Sequence, residues 1–158
     1  VVVNGVSKAY AMTGWRIGYL AGPADLVKAC VDLQGQMTTN ASSIAQRAAF
    51  AALESGTTLI GGMQAAFRRR RDMVVARASA LPGLRTLEPE GAFYIFPDFS
   101  SYYGKSAIAS SIDMASYLLD AARSAFGDDR SLRISFASSD DKLAAAFDRM
   151  GEALCNLR

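Results

Sequence analysis

A chain of 158 residues, 51% of them apolar, has the size of one ordinary domain and enough apolar matter for a core. Its formal charge of +2 gives no long-range pull toward nucleic acid or an anionic membrane. With no histidine in the sequence, His-based triads, His-ligated metal sites and His acid–base chemistry are excluded. No apolar run reaches the roughly 20 residues a membrane-spanning helix needs.

The first predicted element is a strand over residues 1–4, from the β-branched run Val1-Val2-Val3. A second strand is predicted over 15–21. Gly22-Pro23 breaks the chain and opens a helix over 24–36, because proline suits a first helical turn. Leu26, Val27, Cys30, Val31 and Leu33 recur there near helical spacing and predict a core-facing side. A polar joint follows, then an alanine-rich helix from about Ser42 to Glu54. Ser55-Gly56 ends it, and a long third helix runs from about Thr58 to Ala80, stopped by Pro82-Gly83.

The period then changes. Leu84, Thr86 and Leu87 predict a strand, and after the turn Glu88-Pro89-Glu90-Gly91 comes an aromatic strand from Ala92 to Phe96. Its aromatics Phe93, Tyr94 and Phe96 read as core, with lining of a site as the second reading. Residues 100–111 read as loop, and Ile112 to Phe126 as a helix with Met114, Leu118, Leu119 and Ala122 on one face. Ser131 to Ala137 is a predicted strand. Ser139-Asp140-Asp141 is an N-cap cluster for a last helix to about Leu157. Cys30 and Cys155 lie far apart in apolar helical contexts and read as buried free thiols. The opening valines lack the charged region and cleavage site of a signal peptide.

A lysine, Lys8, follows the first strand, and an arginine, Arg16, stands at the head of the second. Two strands that fold back on each other would bring their side chains toward one concavity. A lysine that can be desolvated traps carbonyls, and an arginine fork suits a phosphate. The pair fits an aldehyde cofactor that carries a phosphate, which is pyridoxal 5′-phosphate. Arg133 is a lone cation among the apolar residues of its strand, where a charge is costly unless paired. Arg68-Arg69-Arg70-Arg71 resembles a nucleic-acid patch only in composition. Four consecutive helical residues spread around the circumference, so a solvated or salt-bridged helix face is expected. Gly14, Gly18 and Gly22 have the wrong spacing for a phosphate loop.

The element Ser7-Lys8-x-x-x-Met12-Thr13-Gly14-Trp15-Arg16-Ile17-Gly18 resembles the lysine signature of class I aminotransferases of the fold type I pyridoxal-phosphate group. Its context is most similar to the bacterial aspartate aminotransferase branch. Thr38 to Gln46, Glu90 to Pro97 and Leu132 to Ala137 add matches in the family's order, so the resemblance covers essentially the whole chain. It implies an α/β fold, the C-terminal part of a longer enzyme. Residues 1–56 would close the large cofactor-binding domain, 57–80 form the linking helix, and 81–158 form the small domain. It implies that Lys8 holds the cofactor and moves a proton, that Arg16 and Ser7 bind its phosphate, and that Arg133 clamps the substrate α-carboxylate, facing the cleft on the side of Lys8. The reaction implied is ping-pong transfer of an amino group between an amino acid, aspartate, and a 2-oxo acid, 2-oxoglutarate. An aromatic or prephenate aminotransferase, and a catalytically inactive relative of the same fold, share these motifs and stay open. The resemblance further implies a cytoplasmic homodimer acting on small molecules, with neither nucleic acid nor membrane as partner and no metal.

Two departures from the family pattern stand out. Where some relatives carry a phosphate-binding serine three residues before the lysine, this chain has Gly5. Relatives also carry a short apolar strand and a Pro-Gly turn where Arg123 here joins Ser124, and the loop Gly104 to Ser110 is short. A true deletion or residues closed up at Arg123–Ser124 would explain this; the second is expected, and a Cα separation well above ~3.8 Å would reveal it.

Overall fold

A computed structural model describes residues 1–119 and 128–157. The expected discontinuity at Arg123–Ser124 and the predicted helix beyond residue 119 lie outside them. The chain divides into two compact units, Val1–Met63 and Gln64–Arg158.

In the first unit, strand β1 (Val2–Gly5) pairs antiparallel with β2 (Gly18–Ala21), in a register that runs from Val2 opposite Ala21 to Gly5 opposite Gly18. The stiff valines favour the extended backbone, and glycines permit the close approach at the other end. A Cβ on Gly18 would lie 3.0 Å from the Asn4 carbonyl oxygen, and one on Gly5 3.2 Å from the Gly18 Cα. Helix α1 (Ala24–Met37) starts after Pro23, and α2 (Ser43–Glu54) follows the joint. Ala45, Ala49 and Ala52, spaced along one face of α2, are buried. Val6 closes on Ala49 and Ala52, with Tyr10, Met12 and Ile17 packed around them.

Helix α3 (Gly61–Ala80) belongs almost entirely to the second unit. Gly83 ends its run-out in the left-handed region, at φ 84°. There the Ser101 hydroxyl donates to the Gly83 carbonyl at 2.7 Å, and the Tyr102 hydroxyl donates to the Pro82 carbonyl. Strands β3 (Tyr94–Ile95) and β4 (Ile134–Ser135) pair antiparallel. Their register continues beyond the strands on both sides. The Phe136 N–H donates to the Phe93 carbonyl at 2.9 Å, Leu132 to Pro97 at 3.1 Å, and Phe99 to Arg130 at 2.8 Å. Pro97 has no N–H to return, which interrupts the ladder. Alternate residues face the core: Ile95, Phe99, Leu132 and Phe136 are at most 6% exposed. Helices α4 (Ser111–Leu119) and α5 (Asp140–Cys155) cover that face through Met114, Ala115, Leu143, Phe147 and Leu154.

Several expectations need correction. Residues 15–17 are not strand: Thr13–Trp15 is one turn of 3-10 helix, because local bonds satisfy that backbone first. The strand expected near 84–87 shrinks to an isolated bridge between Arg85 and Asp98. The strands expected over 92–96 and 131–137 keep only their centres as regular ladder, since Pro97 removes a donor. The third helix begins at Gly61, after residues 57–60 turn. Ser100–Tyr102, expected as loop, is a 3-10 turn. Both cysteines are free but exposed. For Cys30 the reason is that α1 buries none of its residues within its unit. Phe96 is 40% exposed because it lies on the ladder face away from the core.

Among the described residues no helix is long and apolar enough to cross a membrane. The arginine run sits on α3 as salt bridges. Arg69 and Arg70 both reach Asp140, at 2.9 and 2.8 Å, and Arg71 reaches Asp72 and Glu88.

Candidate active site

The segment between β1 and β2 is folded rather than slack. Its apolar residues Val6, Tyr10, Met12 and Ile17 pack down onto α2. Backbone bonds from Tyr10 N–H to the Val6 carbonyl and from Ala11 N–H to the Lys8 carbonyl, both 3.2 Å, wind Lys8 into a tight turn. The Tyr10 hydroxyl donates to the Gly56 carbonyl at 3.2 Å and ties that turn to the end of α2. Lys8 is exposed there, and Ser7 beside it is half-buried.

The other end of the segment holds Arg16. After the 3-10 turn, Arg16 adopts φ 49°, and its Nη1 donates to the Thr13 carbonyl at 2.9 Å. Ala11 is also left-handed, at φ 54°. Each such non-glycine residue costs roughly 1–3 kcal/mol, and strain of this kind gathers at functional sites. Antiparallel pairing of Gly5 with Gly18 pins the two ends of the segment together. Lys8 follows the first of these glycines by three residues, and Arg16 precedes the second by two, so each lies within about 7–11 Å of its strand end along the chain. The segment thus carries one primary amine, that of Lys8, one guanidinium, that of Arg16, and three hydroxyls, those of Ser7, Tyr10 and Thr13. That donor set suits a ligand with an aldehyde at one end and a phosphate at the other. Gly5 offers no side-chain donor to it.

Arg133 belongs to the second unit. It lies opposite Phe96 in the continued register, on the exposed ladder face with Tyr94 and Ser135. Its guanidinium carbon stands 4.5 Å from the centroid of the Tyr94 ring. The Tyr94 ring in turn lies 4.5 Å from that of Phe93. The sequence points to Arg133 but not to this cation–ring contact. Its only signal was the alternation in Phe93 to Pro97 and Leu132 to Phe136, which becomes informative once the register is known.

Residues 1–150 match the family described as aminotransferase class I and II. A bifunctional aspartate aminotransferase and glutamate/aspartate-prephenate aminotransferase from Petunia hybrida is 45% identical over 100% of this chain and 36% of its own length. The crystal structure of the aspartate aminotransferase from Rhizobium meliloti superposes with a TM-score of 0.91 at 42% identity, covering 99% of this chain and 42% of that one. An aromatic aminotransferase from Pyrococcus horikoshii gives a TM-score of 0.86 at 35% identity, over 98% and 42% of the two chains. The chain therefore spans well under half the length of these relatives. The α/β fold shared with solved aspartate aminotransferases and the match over nearly all its residues lead to one conclusion: this chain belongs to the class I and II aminotransferase family.

Proposed function

We propose that the protein carrying this chain is a pyridoxal 5′-phosphate-dependent aminotransferase that moves an amino group between aspartate and 2-oxoglutarate. The observation that supports this reading is the β1–β2 segment, pinned at its ends by strand pairing, which carries Lys8 and Ser7 near one end and Arg16 near the other. Lys8 would hold the cofactor through its aldehyde, and Arg16 would grip its phosphate with the Ser7 hydroxyl as a further donor. When bound, the cofactor supplies an electron sink for chemistry at the substrate Cα. Once the substrate amine has displaced it, the freed Lys8 amine would move the proton from that Cα to the carbon that bore the cofactor aldehyde. Arg133 binds the substrate α-carboxylate with two parallel N–H bonds. On this reading residues 1–56 complete the large domain, 57–80 link, and 81–158 form the small domain of a cytoplasmic homodimer.

The test is chemical. Borohydride reduction of the full-length protein loaded with pyridoxal phosphate should fix one cofactor per chain, and peptide mass mapping should place it on Lys8. Lys8→Ala should abolish the label and lower turnover by at least about 10³-fold. A label elsewhere, or none, overturns the assignment. The prephenate activity in the name of the Petunia relative keeps a second substrate in play. Assays against aspartate, prephenate and aromatic amino acids separate the two.

A further inference from the structure

We infer that Tyr94 positions Arg133, acting as a flat support that presents the edge of the guanidinium to a substrate carboxylate. The inference rests on the functional reading above, and it assigns a role to a residue that touches the clamp rather than the substrate.

Three observations converge on Tyr94. The ladder register puts Arg133 opposite Phe96 and diagonal to Tyr94 on one face, within reach for long and aromatic side chains. The 4.5 Å approach of the Arg133 guanidinium to the Tyr94 ring is closer than the other cation–ring approaches among the described residues, which are 5.6–5.8 Å. The Tyr94 ring is itself backed, by Phe93 at 4.5 Å, and Phe93 by Phe67 of α3 at 5.9 Å. A backed ring does not swing away with the arginine it carries.

The chemistry of the guanidinium gives the contact its use. A ring that packs on the face of a guanidinium leaves clear the plane in which all five N–H donors lie. Stacking therefore removes freedom from a long side chain without competing for the donors a carboxylate needs. Tyr94 lowers the ordering cost of binding, which appears in substrate affinity rather than in the chemical step.

The test uses the full-length holoenzyme and maleate, a dicarboxylate with neither an amine nor a carbonyl to react. Calorimetry gives its dissociation constant, and steady-state kinetics give KM for aspartate and kcat separately. Tyr94→Leu removes the ring at similar bulk, and Tyr94→Thr does so with a side chain that favours strands. Both should weaken maleate about 5- to 30-fold and raise KM by a similar factor. Their kcat should move less than about 3-fold, since a uniform binding effect leaves it unchanged. Tyr94→Phe keeps the ring and should restore maleate affinity to within about 2-fold. On an Arg133→Ala background, Tyr94→Leu should add less than about 2-fold, because the partner it supports is gone. Parental maleate affinity in Tyr94→Leu or Tyr94→Thr overturns the proposal. So does a full penalty that survives on Arg133→Ala. Failure of the functional reading shows differently: the parent protein would neither fix cofactor on Lys8 nor bind maleate, which removes the basis of the proposal as well.

Discussion

Val74, Ala78, Phe99 and Met114 in residues 64–158 are each 0% exposed, whereas Val3, Leu33 and Met37 in residues 1–63 stand 64–77% exposed. Among the described residues of the first unit, Val6 is the only buried apolar side chain larger than alanine. The second unit holds its ladder in place by side-chain burial, at roughly 25 cal/mol per Å² of apolar area. Within this chain, which spans well under half the length of its relatives, residues 1–63 bury little apolar area among themselves. The signature segment there is held by cross-strand pairing, by glycines that let two backbones approach, by local hydrogen bonds and by the small apolar cluster around Val6. The two candidate clamps thus rest on different physics: Arg133 on a packed ladder, Arg16 on local backbone geometry.

The largest expected effect tests the packed side of this comparison. In the 158-residue chain, Phe136→Ala should cost about 3–5 kcal/mol in a denaturant melt, as a deletion from a closed core does. Leu33→Ala on α1 should stay within about 0.5 kcal/mol. A cost above about 2 kcal/mol for Leu33→Ala would break the contrast.

A smaller effect tests the backbone side. The Cβ added by Gly18→Ala meets the Asn4 carbonyl oxygen at 3.0 Å, and that oxygen belongs to the paired strand. The strands must part, at about 1–3 kcal/mol. The borohydride-fixed cofactor on Lys8 should fall with it. Undiminished labelling in a destabilised variant would show that the turn does not depend on the Gly5–Gly18 pairing.

The smallest effect concerns charge. Hydrogen bonds from Arg70 and then Arg69 hold the Asp140 carboxyl below its ordinary value of 3.8. The folded pKa is the lower one, so this contribution is complete above 3.8 and is lost as pH falls through the folded pKa. Asp140→Asn should flatten that part of an acid melting series, with only a slight change at neutral pH because the pair is largely solvated. An unaltered acid profile would remove Asp140 from the account of the second unit.

The helices were legible because their signals are local. α1, α2 and α5 fall within about two residues of the predicted spans, and Pro23 and Gly83 mark boundaries as expected. The strands were less so, since pairing depends on distant partners. Nothing local tells that Pro97 will face the Leu132 carbonyl and cut the ladder. Trp15 to Leu20 reads as one β-prone run, yet the bond from Trp15 N–H to the Met12 carbonyl claims its start for a turn. Lys8 and Arg16 were found as residue types at a spacing. The left-handed backbone at Arg16 was not, because arginine carries no preference for it. The sequence allows Tyr94 to be core or to line a site, and its approach to Arg133 needs the pairing of two distant strands.

The backbone of Arg16 also bears on how this position can vary. At φ 49° a glycine would sit without strain and would relieve the turn of a conformation arginine pays for. The substitution that best suits the local backbone is therefore the one that removes the guanidinium. Stability and ligand capture pull this codon in opposite directions, a trade-off of the kind that keeps functional residues away from their most stable replacements. Random drift filtered for folding alone would empty the position of arginine. Its persistence would require selection for its side chain.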